Sequence, residues 1–389
     1  MTPLLAGHVA EVVTAAARLL EKRMGAKVRL TDPVELGGSG RTMVLRVRVS
    51  ENAYSLPRTV ILKQVKQSDR VRRDFGHWEP GVDSASSAFL REAVSYQFAT
   101  ALPKADRPGP QLLAYDLKKQ LLILSDLGDN APLAALLAEG EPTSGHSLMA
   151  LAQALGRMHA ATVGREPDFT ALAARAGVPG QGRGIAHQAD AAVARIPAML
   201  ADTLGVTVPD AVAEVARHGA DLFHGGRFRA FSPSDLCPDN LIVNADGVRF
   251  LDYEWAGFRD ATLDIAYVLT AFPGCLCTHD ISLARARDMA DAWRAEVVGI
   301  WPALGDDEVL AAKIVEAELI WIWLTTYWFL PDDERRLAAV REHTLAVPRS
   351  RAVITRWSTL AATSEATGCA DIADFAGQVI VALETAWAT

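Results

Sequence analysis

Hydrophobic and polar positions in the first third of the chain predict a helix, then strands, then a second helix. Between residues 8 and 23, apolar residues recur on one side at helical spacing. Within 43–49, apolar positions alternate with Arg46 and Arg48, which is the two-residue period of a half-exposed strand. Strands are predicted near Val34 and over 43–49, 60–63, 112–115 and 121–124. With a helix over 87–98, this part is expected to be an antiparallel sheet plus helices.

The remainder of the chain has a mainly helical pattern. Residues 146–162 place apolar side chains along one face and predict an amphipathic helix, and helices are also predicted over 186–222. The segment 163–185 is rich in Gly, Ala and Pro and predicts a loop. A β-rich run over 241–251, with a turn at 245–247, predicts a hairpin. We expect the chain beyond this hairpin to be helical to its end.

Composition places the chain among ordinary globular proteins. It has 389 residues, of which 50% are hydrophobic and 22% charged, which suits one large domain or two lobes. No apolar run is long enough to span a bilayer, and the N-terminus lacks the pattern of a signal peptide. Four cysteines do not indicate a disulfide framework. We therefore expect a cytoplasmic protein with reduced cysteines and no membrane contact.

Charge is distributed unevenly between the two parts of the chain. The net charge of -8 argues against a nucleic-acid partner. Residues 1–124 contain 19 Lys+Arg against 12 Asp+Glu, a net charge of +7, which leaves -15 for the remainder. A basic part suits phosphates and an acidic part suits a cation. The alternative, that both are simply solvated faces, stays open.

Three polar residues around the predicted hairpin have the chemistry of a phosphotransfer site. Asp235 lies in a loop, Asn240 follows five residues later, and Asp252 comes directly after the hairpin. Phosphotransfer needs one carboxylate that orients the acceptor hydroxyl and takes its proton. It also needs a carboxylate and an amide oxygen that hold Mg²⁺ against the phosphates. The hairpin is expected to bring these three side chains to one edge.

The segment from Asp235 to Glu254 resembles the aminoglycoside phosphotransferase and choline kinase-like family. That family has His-Gly-Asp, four residues and Asn, then a strand that ends in Ile-Asp-Trp/Tyr-Glu. The resemblance implies that Asp235 is the catalytic base and that Asn240 and Asp252 are Mg²⁺ ligands. Residues 256–266 resemble the family's Gly-Asp-Pro…Asp-Leu-Ala segment, in which Asp264 would brace the catalytic loop. The departure is Pro233, which stands where the family usually has His.

The resemblance extends to the first third, where it implies an ATP site. Gly38, Ser39 and Gly40 stand in the glycine turn that would cover the phosphates. Lys63 would bind the α- and β-phosphates and Glu92 would pair with it. Lys66 is the alternative to Lys63 as the phosphate-binding lysine.

The resemblance also implies a hinge and a division into lobes. Residues 122–128 resemble the family's hinge, at which backbone groups of Ser125 and Leu127 would hydrogen-bond adenine. The predicted fold is a two-lobed, protein-kinase-like α+β fold. It has a nucleotide-binding lobe over 1–124, a hinge over 125–128 and a catalytic, acceptor-binding lobe over 129–389.

Several conspicuous residues have simpler interpretations. His159 is predicted to be a buried core histidine and Cys237 a small buried thiol. Cys275 and Cys277, with His279 nearby, are predicted to be ordinary thiols because a metal site needs more ligands. The aromatic residues of 316–330 are predicted to pack in the core, with a wall of an acceptor pocket as the alternative.

The sequence thus predicts an ATP- and Mg²⁺-dependent kinase that phosphorylates a hydroxylated small molecule. Asp239 and Glu254 are candidate substrate-binding residues, which would suit a cationic acceptor. A catalytically silent nucleotide-binding module is the rival hypothesis, motivated by Pro233. An unrelated helical enzyme is the third. The oligomeric state is not predicted.

Overall fold

A computed structural model describes residues 3–37, 42–52, 56–65, 85–178, 183–331 and 344–388. These residues group into two compact units. The first consists of Met1–Asp129 with Ala171–Pro179, and the second of Asn130–Thr170 with Gly180–Thr389. The lobe boundaries and the hinge that the sequence suggests stay predictions. Among the described residues, no helix combines the length and the apolar character needed to cross a membrane.

The first unit is built on a five-stranded antiparallel sheet with the strand order β1-β2-β3-β5-β4. Its strands are β1 (Val28–Gly37), β2 (Thr42–Asn52), β3 (Thr59–Val65), β4 (Leu112–Asp116) and β5 (Leu121–Ser125). Its helices are α1 (Pro3–Met24) and α2 (Ala85–Thr100). Apolar residues of α1, among them Val12, Ala16 and Leu20, share one buried core with Leu45, Leu62 and other residues of the sheet. The predicted sheet and helices are therefore confirmed.

The second unit is mainly helical. Its short strands are β6 (Ala131–Pro132), β7 (Arg229–Ser232), β8 (Leu241–Asn244), β9 (Gly247–Phe250) and β10 (Gly257–Asp260). The helices that follow α2 are α3 (Leu133–Ala138), α4 (Thr143–Thr162), α5 (Glu166–Ala176), α6 (Arg183–Leu204), α7 (Asp210–His224), α8 (Thr262–Leu269), α9 (Leu283–Val297), α10 (Asp307–Phe329), α11 (Arg349–Ala366) and α12 (Ala370–Trp387). Four tryptophans, Trp293, Trp321, Trp323 and Trp357, are among its fully buried side chains.

Two sequence predictions about the chain after residue 129 are wrong. The segment predicted as a loop contains helix α5, because its alanine-rich half (171–176) favours a helix more strongly than the neighbouring glycines oppose it. Gly177, with a φ of 75°, then follows the end of that helix. The chain beyond the hairpin is not helical throughout either, because β10 pairs with β7 in an antiparallel ladder. Both strands are four residues long, which is too short for a clear alternating pattern.

The β8–β9 hairpin forms as the sequence predicts. Leu241 pairs with Phe250 and Asn244 with Gly247, so the loop between the strands has two residues. Gly247 has a φ of 102°, a conformation that glycine adopts without strain. The hairpin sets the ends of its strands side by side, and the polar residues Asn240 and Asp252 lie just outside those ends.

Candidate active site

Asp235 lies in a loop between β7 and the hairpin and is held by groups from three directions. Its Oδ2 accepts a hydrogen bond of 2.8 Å from Nδ2 of Asn240. Its Oδ1 accepts one of 3.3 Å from the backbone N–H of Cys237 and lies 3.4 Å from the hydroxyl of Tyr267. Burial raises the pKa of Asp235, and the nearby carboxylates of Asp239 and Asp252 raise it further.

The hairpin links Asn240 to the segment that carries Asp252. The backbone N–H of Leu251 donates a hydrogen bond of 2.8 Å to the carbonyl of Asn240, so the residue before Asp252 is tied to Asn240. Asp252 itself has a φ of 59°. Because Nδ2 of Asn240 faces Asp235, its Oδ1 is turned away from that carboxylate. The structure thus brings Asp235, Asn240 and Asp252 together within one unit.

The donor set around the hairpin fits a hard divalent cation. An amide oxygen from Asn240 and a carboxylate from Asp252 are ligands that Mg²⁺ prefers, usually with water and phosphate oxygens completing its shell. Among the described residues, no group of three His, Cys, Asp or Glu side chains is arranged to hold a metal ion by protein alone. The residues present therefore fit a metal that arrives with a phosphate ligand better than a permanent structural metal.

A network of buried hydrogen bonds supports the loop that carries Asp235. Asp264 is fully buried and accepts a hydrogen bond of 2.8 Å from Oγ of Ser232. Its other oxygen lies 2.9 Å from Nε2 of His159. The indole of Trp293 donates to Nδ1 of the same ring at 3.0 Å, and an indole N–H can only donate. His159 is therefore the neutral tautomer that donates from Nε2 to Asp264, a core histidine as the sequence predicts.

Lys63 and Glu92 meet within the first unit. Nζ of Lys63, on β3, lies 2.7 Å from Oε1 of Glu92, on α2. The two side chains are largely buried, with 13% and 4% of their surface exposed. This is the pairing that the sequence suggests. Gly38, Ser39 and Gly40, and the competing Lys66, lie outside the described residues.

The segment after β5 is held by an arginine that the sequence prediction missed. Asp126 accepts hydrogen bonds of 2.9 Å from Nη2 of Arg46 and from the backbone N–H of Gly128. Burial opposes the charge of Asp126, but hydrogen bonds from Thr59, Gly128 and Arg46 hold its pKa below the ordinary value. Arg46 was assigned only to the exposed face of a strand. Nothing in the alternation of β2 distinguishes an exposed arginine from one that clamps a distant loop.

Ser125 and Leu127 lie in this clamped segment. The backbone N–H of Ser125 donates to the carbonyl of Gln111 at 2.9 Å, so this N–H is already used within the protein. The side-chain oxygen of Ser125 accepts from the N–H of Gln111, also at 2.9 Å.

The two candidate substrate-binding residues lie on either side of the hairpin. Asp239 belongs to a short 3₁₀ turn, Pro238–Asn240, and is near enough to Asp235 to raise its pKa. Glu254 is half-buried in the turn between β9 and β10.

The remaining conspicuous residues divide between confirmed and corrected predictions. Cys237 is a buried free thiol, as the sequence predicts. Trp321 and Trp323 are fully buried on α10, so the core interpretation of that helix is confirmed for both. The prediction for Cys275 and Cys277 is wrong, because the structure joins them in a disulfide. A spacing of two residues is short for a bridge, but the two Cα atoms lie 5.5 Å apart, a separation that a disulfide spans.

Comparison with solved structures places this arrangement in a known fold. The chain is similar to choline kinase from Cryptosporidium parvum Iowa II, with a TM-score of 0.51 and 11% identity over 94% of this chain and 97% of that chain. A choline/ethanolamine kinase family protein from Mesorhizobium loti matches with a TM-score of 0.46 and 14% identity over 90% and 93%. An aminoglycoside phosphotransferase from Alicyclobacillus acidocaldarius matches with a TM-score of 0.43 and 12% identity over 87% and 93%. No protein-family model and no curated protein matches the chain.

The chain therefore has the kinase-like α+β fold of the Cryptosporidium choline kinase. The kinase-like α+β fold that the sequence predicts is thereby confirmed. At identities this low, the fold does not transfer a substrate.

Proposed function

We propose that this protein transfers the γ-phosphate of ATP to a hydroxyl group of a small molecule. The observation that carries the proposal is the carboxylate of Asp235, fixed by the amide of Asn240 within a loop that the hairpin ties to Asp252. A carboxylate that orients a hydroxyl, next to an amide and a second carboxylate, is the set that phosphotransfer requires.

Each residue of this set has a role that follows from its chemistry. Asp235 orients the acceptor hydroxyl and takes its proton as the hydroxyl oxygen attacks the γ-phosphorus. Asn240 and Asp252 would hold Mg²⁺, which supplies neutralisation of the phosphate charge when bound. Lys63, kept in place by Glu92, binds the α- and β-phosphates. Ser125 and Leu127 are proposed to contact adenine through backbone groups, with residues 125–128 as a hinge between the two lobes.

The acceptor is proposed to be a hydroxylated and cationic small molecule. The similar solved structures include a choline kinase, an aminoglycoside phosphotransferase and a fructosamine-3-kinase. In this chain, Asp239 places a second negative charge beside Asp235, and Glu254 follows Asp252 by two residues. A site with several carboxylates attracts a cation and discriminates against an anionic acceptor.

The test is ADP release with choline, a fructosamine and an aminoglycoside as separate acceptors. We expect one of these classes to stimulate turnover by the wild-type protein. Asp235→Asn is expected to reduce that turnover by at least a hundredfold, because general base catalysis contributes about 10²–10⁴. ATP affinity should remain, as measured by calorimetry.

The matched control is Asp246→Asn, which removes the same charge from the exposed turn of the hairpin and should keep full activity. Full turnover by Asp235→Asn would refute the assignment. A wild-type protein that binds ATP but phosphorylates no member of a wide acceptor panel would support the silent nucleotide-binding module instead.

A further inference from the structure

The hydroxyl of Tyr267 lies among three groups that together define the direction of its proton. The backbone N–H of Gly274 donates to the phenolic oxygen at 3.2 Å. Because that oxygen accepts on this side, its own proton points elsewhere. The two remaining neighbours are Sγ of Cys237 at 3.0 Å and Oδ1 of Asp235 at 3.4 Å, and both can accept.

The chain from the N–H of Gly274 through the hydroxyl of Tyr267 to Oδ1 of Asp235 forms a hydrogen-bond relay, and Cys237 contacts both the tyrosine and the carboxylate. Its thiol lies 3.0 Å from the hydroxyl of Tyr267, and its backbone N–H donates to Oδ1 of Asp235 at 3.3 Å. Burial, followed by the charges of Asp235 and Asp239, raises the pKa of Cys237 well above its ordinary value. Burial likewise raises the pKa of Tyr267. Because an ionised carboxylate can only accept, the direction of donation runs from Gly274 through Tyr267 to Oδ1 of Asp235.

The donors on Asp235 occupy its two oxygens unequally. A carboxylate has about four lone-pair directions, two on each oxygen. Oδ1 receives the backbone N–H of Cys237 and the relay from Tyr267, which uses both of its directions. Among the described residues, Oδ2 receives Nδ2 of Asn240 and no second donor. In the part of the chain that the structure describes, one direction of Oδ2 has no protein donor.

We propose that Tyr267 and Cys237 are positioning residues that occupy Oδ1 of Asp235, so that Oδ2 is the atom that takes the proton of the acceptor hydroxyl. This inference rests on the proposed phosphotransfer function. In that step the acceptor O–H bond breaks, its proton moves to Oδ2, and an electron pair of the acceptor oxygen forms the bond to the γ-phosphorus. The bond between the γ-phosphorus and the bridging oxygen breaks, and its electrons leave with ADP.

The segment that carries Gly274 is shaped to approach Tyr267. A Cβ on residue 274 would lie 2.5 Å from the phenolic oxygen, so only glycine lets the backbone N–H reach it. Nη2 of the fully buried Arg356 donates to the carbonyls of Phe272 and Cys277 at 3.0 Å each, and also to that of Cys275. Burial lowers the pKa of Arg356 to about 10, which leaves it charged at neutral pH. The start of the relay is therefore anchored by a buried cation.

The hydroxyl of Tyr267 can be removed without removing its packing. The ring lies edge-on against Trp321 at a centroid distance of 4.9 Å and against Phe272 at 6.5 Å. A phenylalanine keeps these contacts, so Tyr267→Phe should fold normally. If Tyr267 acted only through the packing of its ring, Tyr267→Phe would change the activity little.

The test measures the kinetics of five variants, including one control, with the acceptor that the wild-type protein uses best among choline, a fructosamine and an aminoglycoside. Tyr267→Phe and Cys237→Ala should each lower kcat by about tenfold, equivalent to about 1.4 kcal/mol. The KM for ATP should change less than about twofold, since neither residue is proposed to bind ATP. Cys237→Ser retains a donor and should keep kcat close to wild type.

The kcat of the double variant Tyr267→Phe/Cys237→Ala should be no lower than that of the less active single variant, because both residues act on one relay. Additive losses, or a loss in KM alone, would overturn the inference. Tyr327→Phe is the matched control, because it removes a buried hydroxyl of the same unit that accepts from Arg195 instead. It should retain wild-type kcat.

Crystal structures of the wild type and Tyr267→Phe provide a second measurement that needs no acceptor. We expect the carboxylate of Asp235 to rotate in the variant and its contact with the N–H of Cys237 to be lost. An unchanged carboxylate would overturn the positioning role. The two proposals fail separately: an active Asp235→Asn variant would refute the phosphotransfer assignment, whereas an inactive Asp235→Asn variant with a fully active Tyr267→Phe variant would refute only the relay.

Discussion

Arg259 donates a hydrogen bond from Nη1 to the hydroxyl of Ser234, the residue immediately before Asp235. Ser234 is the centre of a tight turn, in which the N–H of Asp235 donates to the carbonyl of Pro233 at 2.8 Å. Its φ of 63° lies in the left-handed region, where a side chain is unfavourable. The hydrogen bond from Arg259 therefore stabilises Ser234 in a backbone conformation that is unfavourable for a residue with a side chain.

The turn before Asp235 predicts an unusual order of stability among substitutions of Ser234. Serine and alanine both carry a Cβ, which costs about 1–2 kcal/mol in the left-handed region. Ser234→Gly removes this cost together with the hydroxyl, whereas Ser234→Ala removes only the hydroxyl. We expect Ser234→Gly to be more stable than Ser234→Ala by about 1 kcal/mol, measured by urea unfolding.

Equal stability of the two variants would show that the turn is not strained. Ser358→Gly and Ser358→Ala serve as the control pair, because Ser358 lies exposed within α11. There alanine should be the more stable residue by about 1 kcal/mol, which is its ordinary helical advantage over glycine.

The ion pair between Lys63 and Glu92 predicts an effect on nucleotide binding. Lys63→Met removes the proposed phosphate contact, and Glu92→Gln leaves Lys63 without the charge that positions it. Each is expected to weaken ATP binding by about tenfold, or about 1.4 kcal/mol, measured by calorimetry. Lys119→Met, an exposed lysine in the turn between β4 and β5, is the control and should bind ATP normally. Wild-type affinity in both variants of the ion pair would rule out this role.

Asp252 predicts a dependence on the divalent metal. Asp252→Asn replaces a charged oxygen ligand by a neutral one, so the affinity of the nucleotide-bound protein for a divalent cation should fall by at least about tenfold. The fall can be measured with Mn²⁺ by electron paramagnetic resonance. Asp246→Asn should leave Mn²⁺ binding unchanged. The assignment of Asp252 would not survive unaltered Mn²⁺ affinity in Asp252→Asn.

Local periodicity was sufficient to predict much of this fold. The alternation within β2 and the helical spacing of α1 and α4 are properties of neighbouring residues, and each predicts its own element. The β7–β10 ladder was missed because it joins two short segments that are about thirty residues apart in sequence. Nothing within either four-residue strand indicates its partner.

The residues of the candidate site also divide into those that local spacing predicts and those that depend on tertiary packing. Asp235, Asn240 and Asp252 could be predicted from sequence because they lie close together around one hairpin, and their roles stay predictions. Tyr267 could not, because its contact with Asp235 depends on how α8 packs beneath the loop. Arg46 and Arg356 were missed for the same reason: each reaches backbone or carboxylate groups about eighty residues away in the chain. Such contacts are decided by tertiary packing and carry no local pattern.

Glu318 is a buried acidic residue that does not belong to the candidate active site. It lies on α10 with 1% of its surface exposed, and burial raises its pKa from 4.5 to about 8, although a hydrogen bond from Thr363 acts in the opposite direction. Among the described residues, its Oε2 has no hydrogen-bond partner. We therefore expect Glu318 to be neutral in the folded protein at pH 7.

Because the folded pKa of Glu318 is higher than the unfolded one, the folded state binds more protons between pH 4.5 and about 8. Its contribution to stability is thus fully present below pH 4.5 and is lost as the pH rises to about 8. Each pKa unit is equivalent to about 1.4 kcal/mol, so the loss amounts to a few kcal/mol at most. Glu318→Gln mimics the neutral acid and should remove this loss, whereas Glu308→Gln, at an exposed position of α10, should not. Urea unfolding at pH 6 and pH 9 measures the difference, and an equal pH dependence in wild type and Glu318→Gln would contradict the raised pKa.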